Sequence, residues 1–530
     1  MARISNPKLL LSSVFKPFAA DDGYSTKENP CELFHNQVTR MQGVFSIRSH
    51  IRSFGLELMA ANINIPTTVL DFPTEQSFID ELHTGKYTHV GISFIVSNFE
   101  KARKMCELVR THAPEATILV GGHGARIPEI KSKLGCDEVC VGEGIRWLRK
   151  YFGEDAAKPI VHPAMQVEYY RRLFGLSLPN AKAVIVPGVG CANYCEFCCT
   201  SHFFQGYTAF FPKAEDLFEA MCRISDELGT NEFYVMDENF LGDEKRVYTF
   251  IELMKKHQRF FVIDIFSTLR DLARYDPLDL VRLGVEFAWI GIESRRQLFS
   301  KAMGVDAAAL AKRLKDHGVS ILASTILFLD HHDEQSLWDD VEYTLSLEPD
   351  YVQFMELAPF PGTALYERLL KAGRIIDAPY RYWHGQDRIW FVHPNFSPDQ
   401  SKKILDDAFR KDFLTLGPGM LRNAETRIRV VETGKSWNDP FLEKRHQIHI
   451  DYARQVYPIL MTLRDLSPTP FLKEKTERII RRYENILGRL SPLEKLTGSV
   501  LKFSSRLEER RLRSGRISSQ PPTCVTRYRQ

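Results

Sequence analysis

The sequence predicts an α/β protein in three parts: an N-terminal doubly wound, Rossmann-like domain, a central partial barrel of six βα units, and a C-terminal α-helical region. Three observations carry this expectation. Short apolar runs alternate with helical segments from Gly55 to Gly144. Six further apolar runs alternate with helices between Ala183 and Leu370. Near residue 395 the pattern changes to long amphipathic segments with apolar residues three and four apart. Alternation of the first two kinds argues for parallel sheets with helices on both faces.

Taken in order, residues 1–40 show no clear period and are expected to be an irregular extension. Residues 55–63 read as a helix, 67–71 as a strand, 75–84 as a helix, 88–94 as a short buried strand and 98–112 as a helix. Residues 116–120 and 138–141 read as strands that run into glycines, Gly121-Gly122 and Gly142. In such sheets ligands sit outside the carboxyl ends of the strands, where glycine lets a bulky ligand approach the backbone. The expected divisions are an extension over 1–40, the doubly wound domain over 41–155, a linker over 156–180, the barrel over 181–395 and a helical, basic region over 396–530.

The barrel strands are expected at 183–187, 232–236, 260–267, 286–292, 320–328 and 351–357, with working residues at their carboxyl ends. After the first of them comes Gly190-Cys-Ala-Asn-Tyr-Cys-Glu-Phe-Cys198. Thiolates of Cys191, Cys195 and Cys198, spaced C-x3-C-x2-C, can hold three irons of a four-iron cluster and leave one open. A structural zinc site wants four ligands, often two C-x2-C pairs, and neither a second pair nor an H-x3-H partner follows. Cys199 would break the spacing and reads as a packing residue.

This pattern resembles the signature of the radical S-adenosylmethionine enzymes. The resemblance implies a 4Fe-4S cluster, S-adenosylmethionine chelated to the open iron, and removal of hydrogen from an unactivated substrate carbon. It also implies roles by position. Glu238, within Met236-Asp-Glu-Asn, would hold the methionine amino group, and Glu293, within Trp289-Ile-Gly-Ile-Glu-Ser, would meet the methionine portion or ribose. Ser267 and Arg270 would meet the ribose and carboxylate, while Tyr194 and Phe197 would shield the cluster or stack near the adenine. Asp237 and Asn239 read equally well as helix caps. For Glu293 an unpaired carboxylate after a buried apolar run would be costly, which favours a ligand role. His331-His332 are adjacent and diverge in direction, so they read as a solvated loop.

Over roughly 45–155 the run Gly55-Leu-Glu-Leu-Met-Ala-Ala-Asn, the strand ending in Asp71, Val120-Gly-Gly-His and Val141-Gly-Glu-Gly resemble the cobalamin-binding domain found ahead of many radical barrels. Ser93, Gly121, Gly122 and Gly142 are the implied cobalamin contacts, with Ser97 and His123 candidates by position. The D-x-H-x-x-G motif is absent: around His50 the residues are Arg48-Ser-His-Ile-Arg-Ser53. Bound cobalamin would then lack a lower histidine ligand, and a vestigial domain stays open. With cobalamin the implied reaction is radical C-methylation; without it, radical cyclisation or carbon–carbon coupling. A non-enzymatic cobalamin or redox sensor has no need of Glu238, Glu293 and a full barrel. Methylthiotransferases acting on transfer RNA carry three more cluster cysteines, an arrangement that Cys31, Cys106, Cys136 and Cys140 do not show. The three-part layout resembles enzymes that methylate or join hydrocarbon lipids, such as hopanoid methylases, and the oxidative cyclase of bacteriochlorophyll synthesis. A small, lipid-like substrate and a reductant such as flavodoxin or ferredoxin are implied.

Composition fits this reading. The 530 residues are 44% hydrophobic, ordinary for a globular chain. Ten cysteines in this length do not make a disulfide scaffold and point to a reducing, cytoplasmic setting. The start lacks a sustained apolar core, so a secretory signal is not expected, and no stretch reaches the roughly 18 apolar residues that span a bilayer. Net charge is +3, yet residues 471–530 hold 15 Lys/Arg against 6 Asp/Glu. The bland reading of that tail is a solvated helix with a frayed end around Ser504-Ser505, Ser518-Ser519 and Pro521-Pro522. The functional reading is attraction to an anionic membrane surface or to nucleic acid, which charge alone does not separate; peripheral membrane contact is the expected one of the two.

Overall fold

The computed structural model describes residues 6–28, 32–178, 182–299, 301–302, 304–514 and 520–529; Cys31 and Ser518-Ser519 lie outside them. Its N-terminal sheet runs, in space, Cys524–Tyr528, Thr67–Asp71, Leu9–Ser13, His89–Ser93, Thr117–Gly121, Glu138–Val139. All but the first of these are parallel. Among the parallel strands the order is second, first, third, fourth, fifth in chain sequence, the doubly wound arrangement whose switch point lies between the first and third.

Two expectations are corrected here. Residues 1–40 are not an irregular extension: Leu9–Ser13 is buried along its whole length at the centre of the sheet. Such a strand is covered on both faces and carries no polar alternation to mark it. The helix Leu33–Gln37 enters the barrel, with the Phe34 ring 6.2–6.4 Å from those of Phe287, Trp289 and Tyr351. Gln37 accepts a 2.7 Å bond from Gln353 Nε2. Residues 520–529 are not frayed either. Cys524–Tyr528 adds antiparallel to the Thr67–Asp71 edge, Arg527 pairs with Glu81 at 2.9 Å, and Gln520 exchanges hydrogen bonds with the Phe18 backbone. An open sheet edge is thereby capped.

The stretch expected as a linker over 156–180 carries a hairpin, Glu168–Leu173 and Leu176–Leu178, which pairs with Arg48–Ile51. The barrel sheet is fully parallel, in chain order: Ala183–Ile185, Glu232–Val235, Val262–Thr268, Val285–Glu293, Ser320–Leu327 and Tyr351–Glu356. Helices Ala214–Leu228, Glu244–His257, Pro277–Leu283, Ala307–Asp316 and Glu334–Ser346 make the crossovers. Near-continuous apolar strands such as Ile263, Ile265, Ala288 and Ile290 fill the core they share with those helices.

The helical region holds Pro398–Leu416, Gly419–Thr433, Pro440–Asp465, Pro470–Leu487 and Pro492–Arg513. Four of these start with proline directly after Ser397, Asp439, Thr469 or Ser491, whose side chains accept a first-turn N–H. Proline at that place loses no hydrogen bond, and the oxygen cap satisfies an orphan donor. From the sequence, residues 416–422 are expected to form a turn that brings Arg422, Arg427 and Arg429 onto one surface; instead Gly419–Thr433 is helical. Arg422 is buried in a two-pronged pair with Asp412 at 2.8 and 3.0 Å. Arg427 contacts Glu286 inside the barrel floor, and Arg429 reaches Asp316 at 3.2 Å.

His162 ties the hairpin to the barrel. Its Nε2 accepts from the Val186 N–H at 3.1 Å, and its Nδ1 faces the Pro163 carbonyl at 2.8 Å. Burial pushes its pKa down to about 4, whereas an unfolded histidine titrates near about 6.5. Below pH ~6.5 the unfolded chain takes up a proton that the folded site refuses, so the stability His162 contributes falls with pH until about 4. Relative to His162→Gln, the wild type should lose about 2 kcal/mol between pH 6.5 and 5. Parallel melting curves of the two proteins over that range test this; parallel slopes would contradict it.

Candidate functional site

The cysteine loop leaves the first barrel strand at its carboxyl end and is framed by a short hairpin, Gly188–Val189 with Thr208–Ala209. Gly190 has φ +85°, and a Cβ there would fall 1.8 Å from the Gly206 carbonyl, so the turn admits no side chain. From it Cys191, Cys195 and Cys198 follow as free thiols. The Cys198 N–H bonds the Cys195 carbonyl at 3.0 Å, and Cys198 starts the helix Cys199–Phe204. Burial pushes the Cys191 and Cys195 thiols up. Cys191 also feels Cys198 and Glu238 as nearby negative charge, whereas around Cys195 the Lys301 cation opposes Cys198, Glu293 and Cys191. Coordination to a metal would deprotonate them outright. Cys199 is pushed up to about 12, chiefly by burial, and lines a different cavity.

The loop is pinned from the far side of the barrel. The Leu365 N–H donates to the Glu196 carbonyl at 2.9 Å; Arg368 reaches Glu196 at 3.3 Å and Asp330 at 2.7 Å. Phe197 packs edge-on against Phe299 with centroids 5.0 Å apart. Tyr194 is half exposed, its ring 5.9 Å from that of His202.

Around these cysteines the strand ends gather charge. Asp237 is consumed structurally, accepting from Tyr207 at 2.8 Å, Arg246 at 3.2 Å and the Asn239 N–H at 3.0 Å. Glu238 is exposed at the end of the second barrel strand, with Asp237, Thr200 and Lys301 near its carboxyl. Burial, then the Asp237 charge, raises its pKa, while Thr200 and Lys301 work the other way. Ser267 donates to Asn239 at 3.4 Å and Asn239 to Asp271 at 2.8 Å. Arg270 is exposed and, with Cys191 and Asn239, lines an opening of about 950 Å³ beside the loop.

Glu293 ends the fourth strand at φ +62°, where the pairing with the fifth strand shifts register between Gly291 and Glu293. A bulge of this kind re-aims a side chain. The buried Glu293 carboxylate contacts Lys301 Nζ. Lys301 also lies 5.6 Å from the Phe197 ring centroid. Burial pulls its pKa down, but Glu293 and Cys195 outweigh it and hold the ammonium above the ordinary range. Sequence reasoning missed Lys301, which stands in a loop with no motif around it.

His331, His332 and Asp340 lie within ion-sharing distance. His332 is already satisfied, however: Nδ1 accepts from the Leu329 N–H at 3.1 Å, leaving Nε2–H for Asp340 at 3.1 Å.

Two cavities open between the doubly wound sheet and the barrel. The first, about 980 Å³, follows the carboxyl edge of the sheet at its switch point and is lined by Leu11, Gly91, Ser93, Gly121, Gly122 and Gly142, with Phe203, Phe204 and Phe210 from the barrel side. Gly122 has φ +83°, and a Cβ there would meet the Phe94 carbonyl at 2.6 Å. The second, about 810 Å³, lies between Ser97, His123 and Arg126 on one side and Cys199, Met355 and His384 on the other. Ser97 Oγ, His123 Nδ1, Arg126 Nε and His384 Nδ1 are buried there without a hydrogen-bond partner, which such atoms normally have. His50 belongs to neither cavity; it lies 3.6 Å from Glu32 on the three-stranded sheet.

No protein-family model matches the chain. It is 22% identical over 243 residues to an uncharacterized methyltransferase of Pyrococcus horikoshii, 44% of this chain and 51% of that protein. The chain thus spans about half the length of that relative. It is 23% identical over 393 residues to the bacteriochlorophyllide d C-12(1)-methyltransferase of Chlorobaculum tepidum, 68% of this chain and 82% of that one. The radical S-adenosylmethionine methyltransferase TsrM from Kitasatospora setae, solved with cobalamin and a [4Fe-4S] cluster bound, superposes with TM-score 0.53 at 12% identity, over 85% of this chain and 99% of TsrM. The same enzyme with tryptophan substrate and the analogue aza-SAM gives TM-score 0.53 at 13% identity over the same shares. This likeness establishes the fold: a doubly wound domain, a six-unit barrel and helices after it.

Proposed function

We propose that this chain is a radical S-adenosylmethionine methyltransferase that uses cobalamin to methylate a carbon of a small, largely apolar substrate. The observation that carries the reading is a convergence. Three free thiols at C-x3-C-x2-C spacing, the carboxylates of Glu238 and Glu293 and the ammonium of Lys301 gather at one barrel mouth, beside the cavity at the sheet's switch point. Both relatives by sequence bear methyltransferase names, and TsrM carries cobalamin and a [4Fe-4S] cluster.

The donor sets fit these groups. Cys191, Cys195 and Cys198 would hold a cluster through three irons. The glycine-lined cavity, with its apolar wall, would take cobalamin, and Ser93, Gly121, Gly122 and Gly142 would let it approach the strand ends. D-x-H-x-x-G is absent and His50 lies on the three-stranded sheet, so that motif would offer no histidine to bound cobalamin. The bound groups would supply reductive cleavage of S-adenosylmethionine and methyl transfer through cobalt, with electrons from an external donor such as flavodoxin or ferredoxin.

The chain's own residues bind and orient. Glu238, with its carboxyl pushed up by burial, gains most from a cation, so the methionine ammonium suits it. Lys301, held charged, can exchange part of its pairing with Glu293 for the methionine carboxylate. Glu293 is then free to face the ribose or the ammonium, with Ser267 and Arg270 meeting the ribose and carboxylate. Tyr194 and Phe197 flank the cysteines, Phe197 excluding water under Lys301. Lys301→Met should retain iron yet bind S-adenosylmethionine roughly tenfold to a hundredfold more weakly, the loss of one charge-assisted bond of about 1.5–3 kcal/mol. Isothermal titration of the anaerobic protein reads this directly, and unchanged affinity would remove Lys301 from the site.

The experiment that tests the reaction class needs no identified substrate. Reduced protein given S-adenosylmethionine labelled in its methyl group should place label on protein-bound cobalamin. Formation of 5′-deoxyadenosine with no label on cobalamin would instead indicate a radical enzyme of another class.

A further inference from the structure

The last long helix, Pro492–Arg513, has two faces that do different things. Gly498, Leu501 and Ser505 are buried against Pro440–Asp465, where a Cβ on Gly498 would stand 3.1 Å from the Pro458 carbonyl. Lys502 contacts Asp465, and Ser504 donates to the Phe174 carbonyl at 2.7 Å. The helix is therefore firmly seated on the body. Its outer face is the anomaly: Leu493, Leu496, Val500, Phe503 and Leu507 are exposed by 73, 61, 50, 66 and 49%. Their spacing alternates three and four, so they form one continuous stripe along the helix. Soluble surfaces carry scattered apolar residues, but a stripe of this length marks a contact.

Charge identifies the occupant. At 100° per residue, Lys495, Arg506, Arg510 and Arg513 fall together along one flank of the stripe, and all are exposed. Among the described residues Lys495, Arg506 and Arg510 make no ion pair, while Arg513 pairs with Glu509 at 2.7 Å. A second copy laid antiparallel along the stripe would set this cationic flank against itself, and one laid parallel would set it against Thr497, Ser504 and Glu508, the last already paired with Arg511 at 2.5 Å. Neither supplies free anions. An anionic bilayer surface supplies both needs, an apolar boundary for the stripe and phosphate charge for the flank.

We propose that this helix is a docking surface by which the folded protein lies on an anionic lipid membrane, with Phe503 at the centre of the inserted stripe. The proposal is independent of the reaction the barrel performs. The seated helix would present its stripe without unfolding.

Sedimentation of the full chain with lipid vesicles tests it. The protein should pellet with phosphatidylglycerol-rich vesicles and bind phosphatidylcholine vesicles at least about tenfold more weakly. Leu496→Glu combined with Phe503→Glu should weaken the anionic-vesicle binding by at least about tenfold while leaving the melting temperature and iron content unchanged, because both side chains are exposed. Arg506→Gln with Arg510→Gln should reduce binding to anionic vesicles and leave the little binding to neutral ones as it was. Failure of the full chain to pellet with either vesicle would overturn the proposal, as would equal binding by the glutamate variant. Light scattering that shows a dimer broken by Leu496→Glu/Phe503→Glu, without vesicle binding, would overturn it in favour of an interface between copies.

Discussion

Cys195→Ala should yield a folded protein that holds no iron after anaerobic reconstitution and forms no 5′-deoxyadenosine. Removing the middle thiol leaves two ligands where three are needed, and the neighbouring Lys301 cation then has one anion fewer to face. The informative partner is Cys199→Ala. Cys199 stands next to the trio in sequence but lines the other cavity and is held as a thiol by burial. Its loss should leave iron at about four per chain and preserve the cleavage reaction. If Cys199→Ala lost the cluster while Cys195→Ala kept it, the ligand assignment would be wrong. Melting curves of both variants separate loss of cluster from loss of fold.

The second large effect lies far from the cysteines. Arg422 and Asp412 are each nearly fully buried and joined by two hydrogen bonds, and Arg422 also donates to the Pro349 carbonyl at 3.1 Å. Burial raises the Asp412 carboxyl against the opposing pull of Arg422. Taking away the guanidinium strands that carboxylate, so Arg422→Ala should cost about 3–5 kcal/mol. Arg422→Met with Asp412→Leu removes both charges and should recover most of the loss, since a buried pair is often no better than apolar residues of similar volume. Thermal unfolding of the single and double variants measures this; a double variant as unstable as the single one would mean that the pair contributes specific attraction beyond mutual compensation.

The parts legible in the sequence are those where one residue pattern has one structural meaning. The strands at Thr67–Asp71 and Tyr351–Glu356 lie between clear helical segments, and the C-x3-C-x2-C run has few chemical readings. Leu9–Ser13 escaped because a strand buried on both faces looks like any short apolar run. The edge strand Cys524–Tyr528 follows a Ser- and Pro-rich stretch that reads as an unfolded end, and only the distant Thr67–Asp71 edge gives it a partner. The helix does break at Gly417-Pro418, but it resumes at Gly419 and carries Arg422 inward, with Arg427 and Arg429 partly buried. Their burial depends on Asp412, Glu286 and Asp316, set by packing rather than by neighbours in sequence. Lys301 escaped for the same reason: its charge partners are Glu293, at the end of the fourth barrel strand, and Cys195, in the loop after the first.

The proposed methyl transfer requires the glycine-lined cavity to be a working cobalamin site beside a three-cysteine cluster. Its most direct test is the cobalamin and iron content of protein purified without oxygen from cells supplied with both. About one cobalamin and about four irons per chain are expected, with cobalamin alone lost in Gly121→Phe. At Gly121 a Cβ meets only ordinary contacts at 3.6 Å or more, so the ring would fill the cavity with little strain on the strand. Four irons with no cobalamin in the wild type would contradict the claim and leave a radical enzyme whose N-terminal domain keeps the fold without the cofactor.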